Sequence, residues 1–144
     1  MLTFLPQSGI KRKKGKWGLG MDSSEFSSMR KRLNKTQKQL AQLLGTSIKA
    51  VHSYEQGWRS IPVHAERQLL FLVARKRTSQ QDLRPCWEVM GCPSERMEKC
   101  PAWEFQVGTL CWFINGTICS GYVHSGWREK MQVCRNCYML NSML

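Results

Sequence analysis

The cysteines of this chain are its most reactive side chains, and they are unevenly placed. All seven lie after residue 85 of 144. Thiolates ligate zinc and iron and carry out redox chemistry, so this placement confines such chemistry to one segment. A segment of about 60 residues buries only a marginal hydrophobic core and usually needs cross-links. The residues are Cys86, Cys92, Cys100, Cys111, Cys119, Cys134 and Cys137.

We expect those cross-links to be metal–thiolate bonds. An odd cysteine count fits poorly with complete disulfide pairing. The opening MLTFLP is too short for a signal sequence, and its basic run follows the apolar residues instead of preceding them. No apolar run elsewhere is long enough to span a membrane. We therefore expect a cytoplasmic protein, in whose compartment thiols stay reduced.

The identity of the metal is left open by the spacing. Zinc ribbons normally carry two short Cys-x-x-Cys pairs, whereas this chain has only Cys134 and Cys137. Long, irregular spacings favour an iron–sulfur cluster, with zinc as the alternative and plain buried or reactive thiols as a third possibility. Trp87 and Trp112 would shield a cluster or act as core anchors, and His124 is a further ligand candidate or a surface residue. Because no set of four stands out, all seven cysteines are candidate ligands.

An enzyme is the less favoured hypothesis. A catalytic Cys134-x-x-Cys137 pair would normally open a helix in an alternating strand–helix setting, which this sequence does not show. The sequence also contains no paired carboxylates, nucleophile elbow or glycine-rich phosphate loop. We therefore expect a binding protein and no catalytic residues.

The segment from Thr36 to Glu55 predicts two short helices joined by a tight turn. Gly45 lies between them, where a chain leaving a helix often needs a left-handed conformation. Thr36 and Ser47 precede the helices and can accept hydrogen bonds from their first free amides. The apolar positions at helical spacing are Leu40, Ala41 and Leu44, then Val51 and Tyr54.

This pattern resembles the Cro/repressor-like helix-turn-helix of the XRE family of bacterial transcription regulators over roughly residues 22–78. Lys35 replaces a customary apolar residue. The resemblance implies four or five helices, double-stranded operator DNA as partner, homodimers on half-sites about 34 Å apart, and an Arg30–Glu55 ion pair. The matching residues are Arg30, Leu33, Thr36, Gln37, Leu40, Ala41, Leu44, Gly45, Ser47, Val51, Tyr54, Glu55, Gly57 and Pro62.

The candidate DNA contacts are the residues left facing outward when the apolar positions are subtracted. Lys49 can donate to guanine, and Ile48 or Ala50 can pack on a thymine methyl group. Family position places Gln37 on a phosphate, and two basic residues are expected to contact phosphates as well. The full predicted set is Gln37, Lys38, Ser47, Ile48, Lys49, Ala50, His52, Ser53 and Arg59.

Charge divides the chain in the same way as the motifs. The overall charge is +12, of which residues 1–21 carry five basic side chains. Residues 22–78 contain 11 basic and 4 acidic side chains, while residues 79–144 contain six of each. We therefore predict a basic tail (1–21), a DNA-binding domain (22–78), a linker (79–85) and a neutral cysteine-rich domain (86–144). The tail is either a loosely ordered start or a minor-groove arm.

An imperfect repeat organises the cysteine-rich segment. Cys86-Trp87 is followed by Gly91-Cys92, and Cys111-Trp112 by Gly116 and Cys119. The arrangement resembles the two-CW cysteine-rich module attached to bacterial sensory and regulatory proteins, over nearly all of residues 85–138. That resemblance implies a sensory setting.

The predicted fold is mainly α: a four- to five-helix Cro/repressor-like domain and a small, loop-rich domain stapled by cysteines and metal. The leading hypothesis is a sequence-specific transcription regulator whose metal centre senses redox state, oxygen or metal. The alternative is a helix-turn-helix protein in which zinc only folds a protein-interaction module. A short linker would keep the two domains close.

Overall fold

The chain is mainly helical. A computed structural model describes residues 20–78 and 83–144. The predictions for the tail up to residue 19 and for linker residues 79–82 lie outside that part. The described part contains ten α-helices, a 3₁₀-helix and one two-stranded sheet. None of its helices is long and apolar enough to cross a bilayer.

Residues 20–78 form four helices, within the predicted number. The first three begin at side-chain caps and the fourth follows Pro62 directly. They are α1 (Ser23–Arg32), α2 (Gln37–Leu44), α3 (Ile48–Gln56) and α4 (Val63–Thr78).

The predicted caps are confirmed at both ends of α2 and at the start of α3. Thr36 accepts from the Gln39 amide at 3.1 Å while the Gln39 side chain accepts from the Thr36 amide, a reciprocal pair of bonds. Ser47 accepts from the Ala50 amide at 3.1 Å. Gly45 has φ +66°, a left-handed conformation that disfavours a side chain, and there the chain turns from α2 into α3.

The interior of this part is aliphatic and aromatic. The stripe predicted for α1 is buried at Phe26, Met29 and Leu33, and the ring of Phe26 meets Tyr54 edge-on at 5.6 Å between centroids. Leu69 and Leu70 of α4 are fully buried beneath them. The apolar positions predicted for α2 and α3 are also buried: Leu40, Ala41, Leu44, Val51 and Tyr54.

Residues 83–144 consist mostly of single helical turns. The longest helix has nine residues and buries Trp127, Lys130, Met131 and Cys134 on one face. A short antiparallel hairpin pairs Ile118 with Val123 and Cys119 with Tyr122. The elements are α5 (Cys86–Val89), α6 (Ser94–Met97), α7 (Pro101–Glu104), a 3₁₀-helix (Gly108–Leu110), α8 (Cys111–Ile114), β1 (Ile118–Cys119), β2 (Tyr122–Val123), α9 (Trp127–Arg135) and α10 (Tyr138–Asn141).

An aromatic contact joins the two parts through Arg67 of α4. Its guanidinium carbon lies 4.9 Å from the ring centroid of Phe113 and 4.8 Å from that of Trp127. Its Nη2 donates to the carbonyl oxygen of Phe113 at 2.9 Å. Phe71, one turn further along α4, packs on Phe113 with 5.2 Å between ring centroids. The buried residues of both parts accordingly form one continuous cluster.

An ion-pair group joins the same two parts through Arg135 of α9. One guanidinium nitrogen lies 2.6 Å from a carboxylate oxygen of Glu25, and the other lies 3.6 Å from Glu66. Glu66 is almost fully buried, and its burial raises its pKa, against the opposing effect of Arg135. The ends of α1, α4 and α9 are therefore linked by charge as well as by apolar packing.

Candidate functional site

The exposed face of α3 carries most of the predicted DNA contacts. Ile48 is 48% exposed although it is a large apolar residue, and Lys49 beside it is also exposed. His52 and Ser53, one turn later, are half-buried. Ser47 lies at the start of this face, where its hydroxyl caps the helix.

Ala50 does not belong to this face. Only 4% of it is exposed, so the prediction that its methyl group faces outward is wrong. Ala50 precedes Tyr54 by four positions, and residues four apart lie on the same side of a helix. It therefore shares the inward side with Tyr54 and Val51.

Glu55 connects the ends of three helices. It accepts from Arg30 of α1 through a two-nitrogen contact, one leg of which measures 3.1 Å, so the ion pair implied by the family resemblance is present. It also accepts from the Gln37 side chain at 3.1 Å. Burial alone would raise the pKa of Glu55, but the hydrogen bonds from Arg30 and Gln37 outweigh it, so the pKa is lowered. Gln37, predicted on a phosphate, is thus held at the start of α2 by a carboxylate.

The loop after α3 adds one cation, Arg59, and an aromatic side chain, while the cation Lys38 lies in α2. Lys38 and Arg59 are exposed, and the Arg59 guanidinium lies 5.6 Å from the centroid of the Tyr54 ring. Trp58 is 66% exposed and meets His52 edge-on at 5.4 Å between centroids. Trp58 is not among the predicted site residues. The one sign of it in the sequence is that a large apolar side chain stands outside the apolar positions of the predicted helices.

Four of the seven cysteines meet at one cavity. All seven are free thiols. The cavity measures about 40 Å³, and four cysteines line it together with a lysine, an asparagine and an apolar wall. Its lining is Cys111, Trp112, Asn115, Ile118, Cys119, Lys130, Cys134, Cys137, Met139 and Leu140. Within residues 20–78 and 83–144, no group of three or more His, Cys, Asp or Glu side chains has the geometry to hold a metal ion.

The four cavity cysteines lie at or next to the ends of four elements. Cys111 begins α8, Cys119 ends β1, Cys134 lies in the last turn of α9, and Cys137 precedes α10. The Cys137 amide donates to the Cys134 carbonyl at 3.0 Å, which holds the turn between α9 and α10 closed. The pair thus spans the junction between α9 and α10.

The other three cysteines surround this cavity without lining it. The neighbouring thiol of Cys111 lowers the pKa of Cys86 to about 7, and the same interaction raises the pKa of Cys111. The Asn115 amide lies 3.6 Å from the sulfur of Cys100. Cys92 is half-buried, and burial raises the pKa of its thiol. Sequence spacing does not distinguish these three from the cavity cysteines.

Lys130 is a buried cation in the cavity wall. It is 1% exposed, its ammonium donates to the Trp112 carbonyl, and it lies 4.9 Å from the centroid of the Trp127 ring. Burial lowers its pKa, while the nearby Cys134 and Cys111 act in the opposite direction. Burial also raises the pKa of Cys134 to about 11. Lys130 was not predicted as a site residue, although its i, i+4 spacing to Cys134 was a readable signal.

The two repeat tryptophans have different positions. Trp112 is 1% exposed and lines the cavity, as a shielding residue would. Trp87 instead packs edge-on against Trp103 at 5.0 Å between ring centroids and covers Gly108. His124, the further ligand candidate, lies against Tyr122 and is not part of the cavity lining.

No protein-family model matches this chain, and the comparisons with curated proteins and with solved structures returned no match.

Proposed function

We propose that this protein is a sequence-specific DNA-binding regulator, with residues 22–78 as a Cro/repressor-like helix-turn-helix domain. The observation that carries the proposal is the arrangement of α2 and α3. They are joined at a left-handed Gly45, and α3 exposes Ile48 and Lys49 at its first turn while Val51 and Tyr54 are buried. The first turn of a recognition helix is the part that reaches base edges in the major groove.

Charge supports the same proposal. Residues 22–78 carry 11 basic and 4 acidic side chains, and the basic residues flanking α3 are exposed. Lysine and arginine side chains displace counterions from phosphate, which supplies affinity without sequence preference. Lys38 and Arg59 would then position the domain, while Lys49 and Ile48 would discriminate between bases.

Selection of binding sequences from random duplexes, with the full chain at fixed salt, tests the proposal. We expect enrichment of a defined motif. Lys49→Ala should lose preference at one position, at a cost of about 1–3 kcal/mol against the preferred base. Lys38→Ala should weaken all duplexes alike and reduce the slope of log affinity against log salt by about 1.

Lys99→Ala is the matched control, since it removes one exposed lysine from residues 83–144 and should change neither motif nor salt slope. The absence of any enriched motif from the folded full chain would overturn the proposal, as would equal effects of the three substitutions.

We further propose that a metal centre in the cysteine-rich part regulates this binding. Arg67 and Arg135 bridge that part to α4 and α1, so a change of packing around the cysteines would be felt by the helices that support α3. A ligand shifts such an equilibrium only by its differential affinity for the two states. Protein with and without metal should therefore bind the selected duplex with different affinity, and equal affinity would remove the sensing role.

A further inference from the structure

The buried ammonium of Lys130 has no carboxylate to balance its charge in the described part of the chain. Moving a cation into a protein interior is costly unless it is paired. In the described part of the chain no carboxylate lies within ion-pair distance of Lys130. Its titratable neighbours are the cation Arg67 and the thiols of Cys134, Cys111 and Cys119, and each of these thiols becomes anionic when it ligates a metal.

The size of the cavity and the number of its cysteines indicate a ligand of several atoms. The cavity of about 40 Å³ is several times the ~10–15 Å³ that one water needs. Four cysteine side chains line it, and four thiolates are the number that holds an iron–sulfur cluster.

We propose that Cys111, Cys119, Cys134 and Cys137 hold an iron–sulfur cluster in this cavity, and that the Lys130 ammonium is its internal counter-charge. The regulatory meaning of this site rests on the proposed function. Its chemistry rests on the cavity alone. Cys86, Cys92 and Cys100 lie outside the ligand set.

Cluster transfer to the full chain under anaerobic conditions tests the ligand set. The probe is a synthetic iron–sulfur cluster carrying small thiolate ligands. The exchange is not a redox step: each cysteine sulfur forms a bond to iron as one small thiolate leaves, and the cysteine proton passes to that thiolate. We expect the desalted protein to retain iron and acid-labile sulfide in equal amounts. Cys119→Ala, Cys134→Ala and Cys137→Ala should each lower retained iron by more than about tenfold.

Cys92→Ala is the matched control, because it removes one thiol outside the cavity and should retain iron as the parent does. Far-ultraviolet circular dichroism identifies any variant that has lost its helices. Equal retention by Cys92→Ala and the cavity variants would overturn the assignment, as would protein that keeps iron without sulfide or takes only a single zinc ion.

Lys130→Met tests the counter-charge without removing a ligand. A nearby positive charge stabilises the more negative, reduced cluster. Its loss should therefore shift the midpoint potential to a more negative value, whereas Lys130→Arg should not and the exposed Lys99→Met should leave it unchanged. An unshifted potential in Lys130→Met that still carries its cluster would overturn the role of Lys130.

The duplex selection is measured separately from cluster retention. Retained cluster without a preferred duplex would end the regulatory proposal and leave this site standing. A preferred duplex without retained cluster would overturn this site and leave the DNA-binding proposal standing.

Discussion

In residues 20–78 the first three helices begin at a side-chain cap, whereas no α-helix of residues 83–144 does. The interiors differ as well. The first part buries aliphatic and aromatic residues such as Phe26 and Leu69, and the second surrounds Trp112 with thiols and the ammonium of Lys130. Local hydrogen bonds and apolar burial define the first part, while the second depends on contacts between residues far apart in the chain.

The two parts nevertheless share one core. Their buried residues form one cluster, and Arg67 lies between rings supplied by the cysteine-rich part. Weakening the cysteine-rich interior should therefore also weaken the helices that support α3.

The largest expected effect is that of Trp112→Ala. Removing a fully buried tryptophan should lower the free energy of unfolding by about 3–5 kcal/mol. Urea denaturation followed by far-ultraviolet circular dichroism measures it, and the helices of both parts should unfold in one transition. Trp58→Ala, at an exposed position, should change stability by less than about 0.5 kcal/mol. Two separate transitions would mean that the parts are independent.

Arg135→Met should come next, because it leaves the buried Glu66 without the guanidinium that joins the two parts. The expected cost is about 3 kcal/mol at neutral pH. Burial raises the folded pKa of Glu66 above the usual value of 4.5. The stability that comes from its protonated form is therefore fully present below pH 4.5 and is lost as pH rises through the folded pKa. Loss of Arg135 raises that pKa further.

The penalty of Arg135→Met should therefore grow from acid to neutral pH in urea titrations. The double variant with Glu66→Gln, which has no charge to bury, should recover most of it. A penalty that is independent of pH, or absent recovery, would mean that Arg135 acts through packing alone.

Glu55→Gln tests the network inside the first part. Its folded pKa is lowered, so its stabilisation is present above 4.5 and is lost as pH falls through the folded value. We expect a cost of about 2 kcal/mol at pH 7, disappearing in acid, from denaturation curves at several pH values. Glu88→Gln removes an exposed partner of Arg84 and should cost less than about 0.5 kcal/mol.

The smallest effect is that of a single cap. Ser47→Ala removes the acceptor for the Ala50 amide and should destabilise the protein by about 1 kcal/mol. Ser53→Ala, inside the same helix, serves as the control and should differ little from the parent in thermal unfolding. Equal losses would show that the cap is not what stabilises the start of α3.

Local patterns were sufficient to predict the helices of the first part. Thr36, Gly45 and Ser47 each act on backbone groups within a few residues, so their roles can be derived from neighbours in the chain. The prediction that Ala50 faces outward was wrong because it treated a small residue as free to face either side, whereas Tyr54 four positions later lies on the same, buried side of α3. Trp58 was missed because no local rule assigns a role to an exposed aromatic residue.

The order of residues was enough to predict where caps and turns begin and end the helices of residues 22–78, which part of the chain is basic, and which part carries the thiols. These properties depend on residues close in sequence or on composition. The three-dimensional fold was needed to show that four of the seven thiols share a cavity, that Lys130 is buried in its wall, and that Arg135 reaches Glu25 and Glu66. Such contacts join residues far apart in the chain, and spacing alone carries no information about which distant elements will meet.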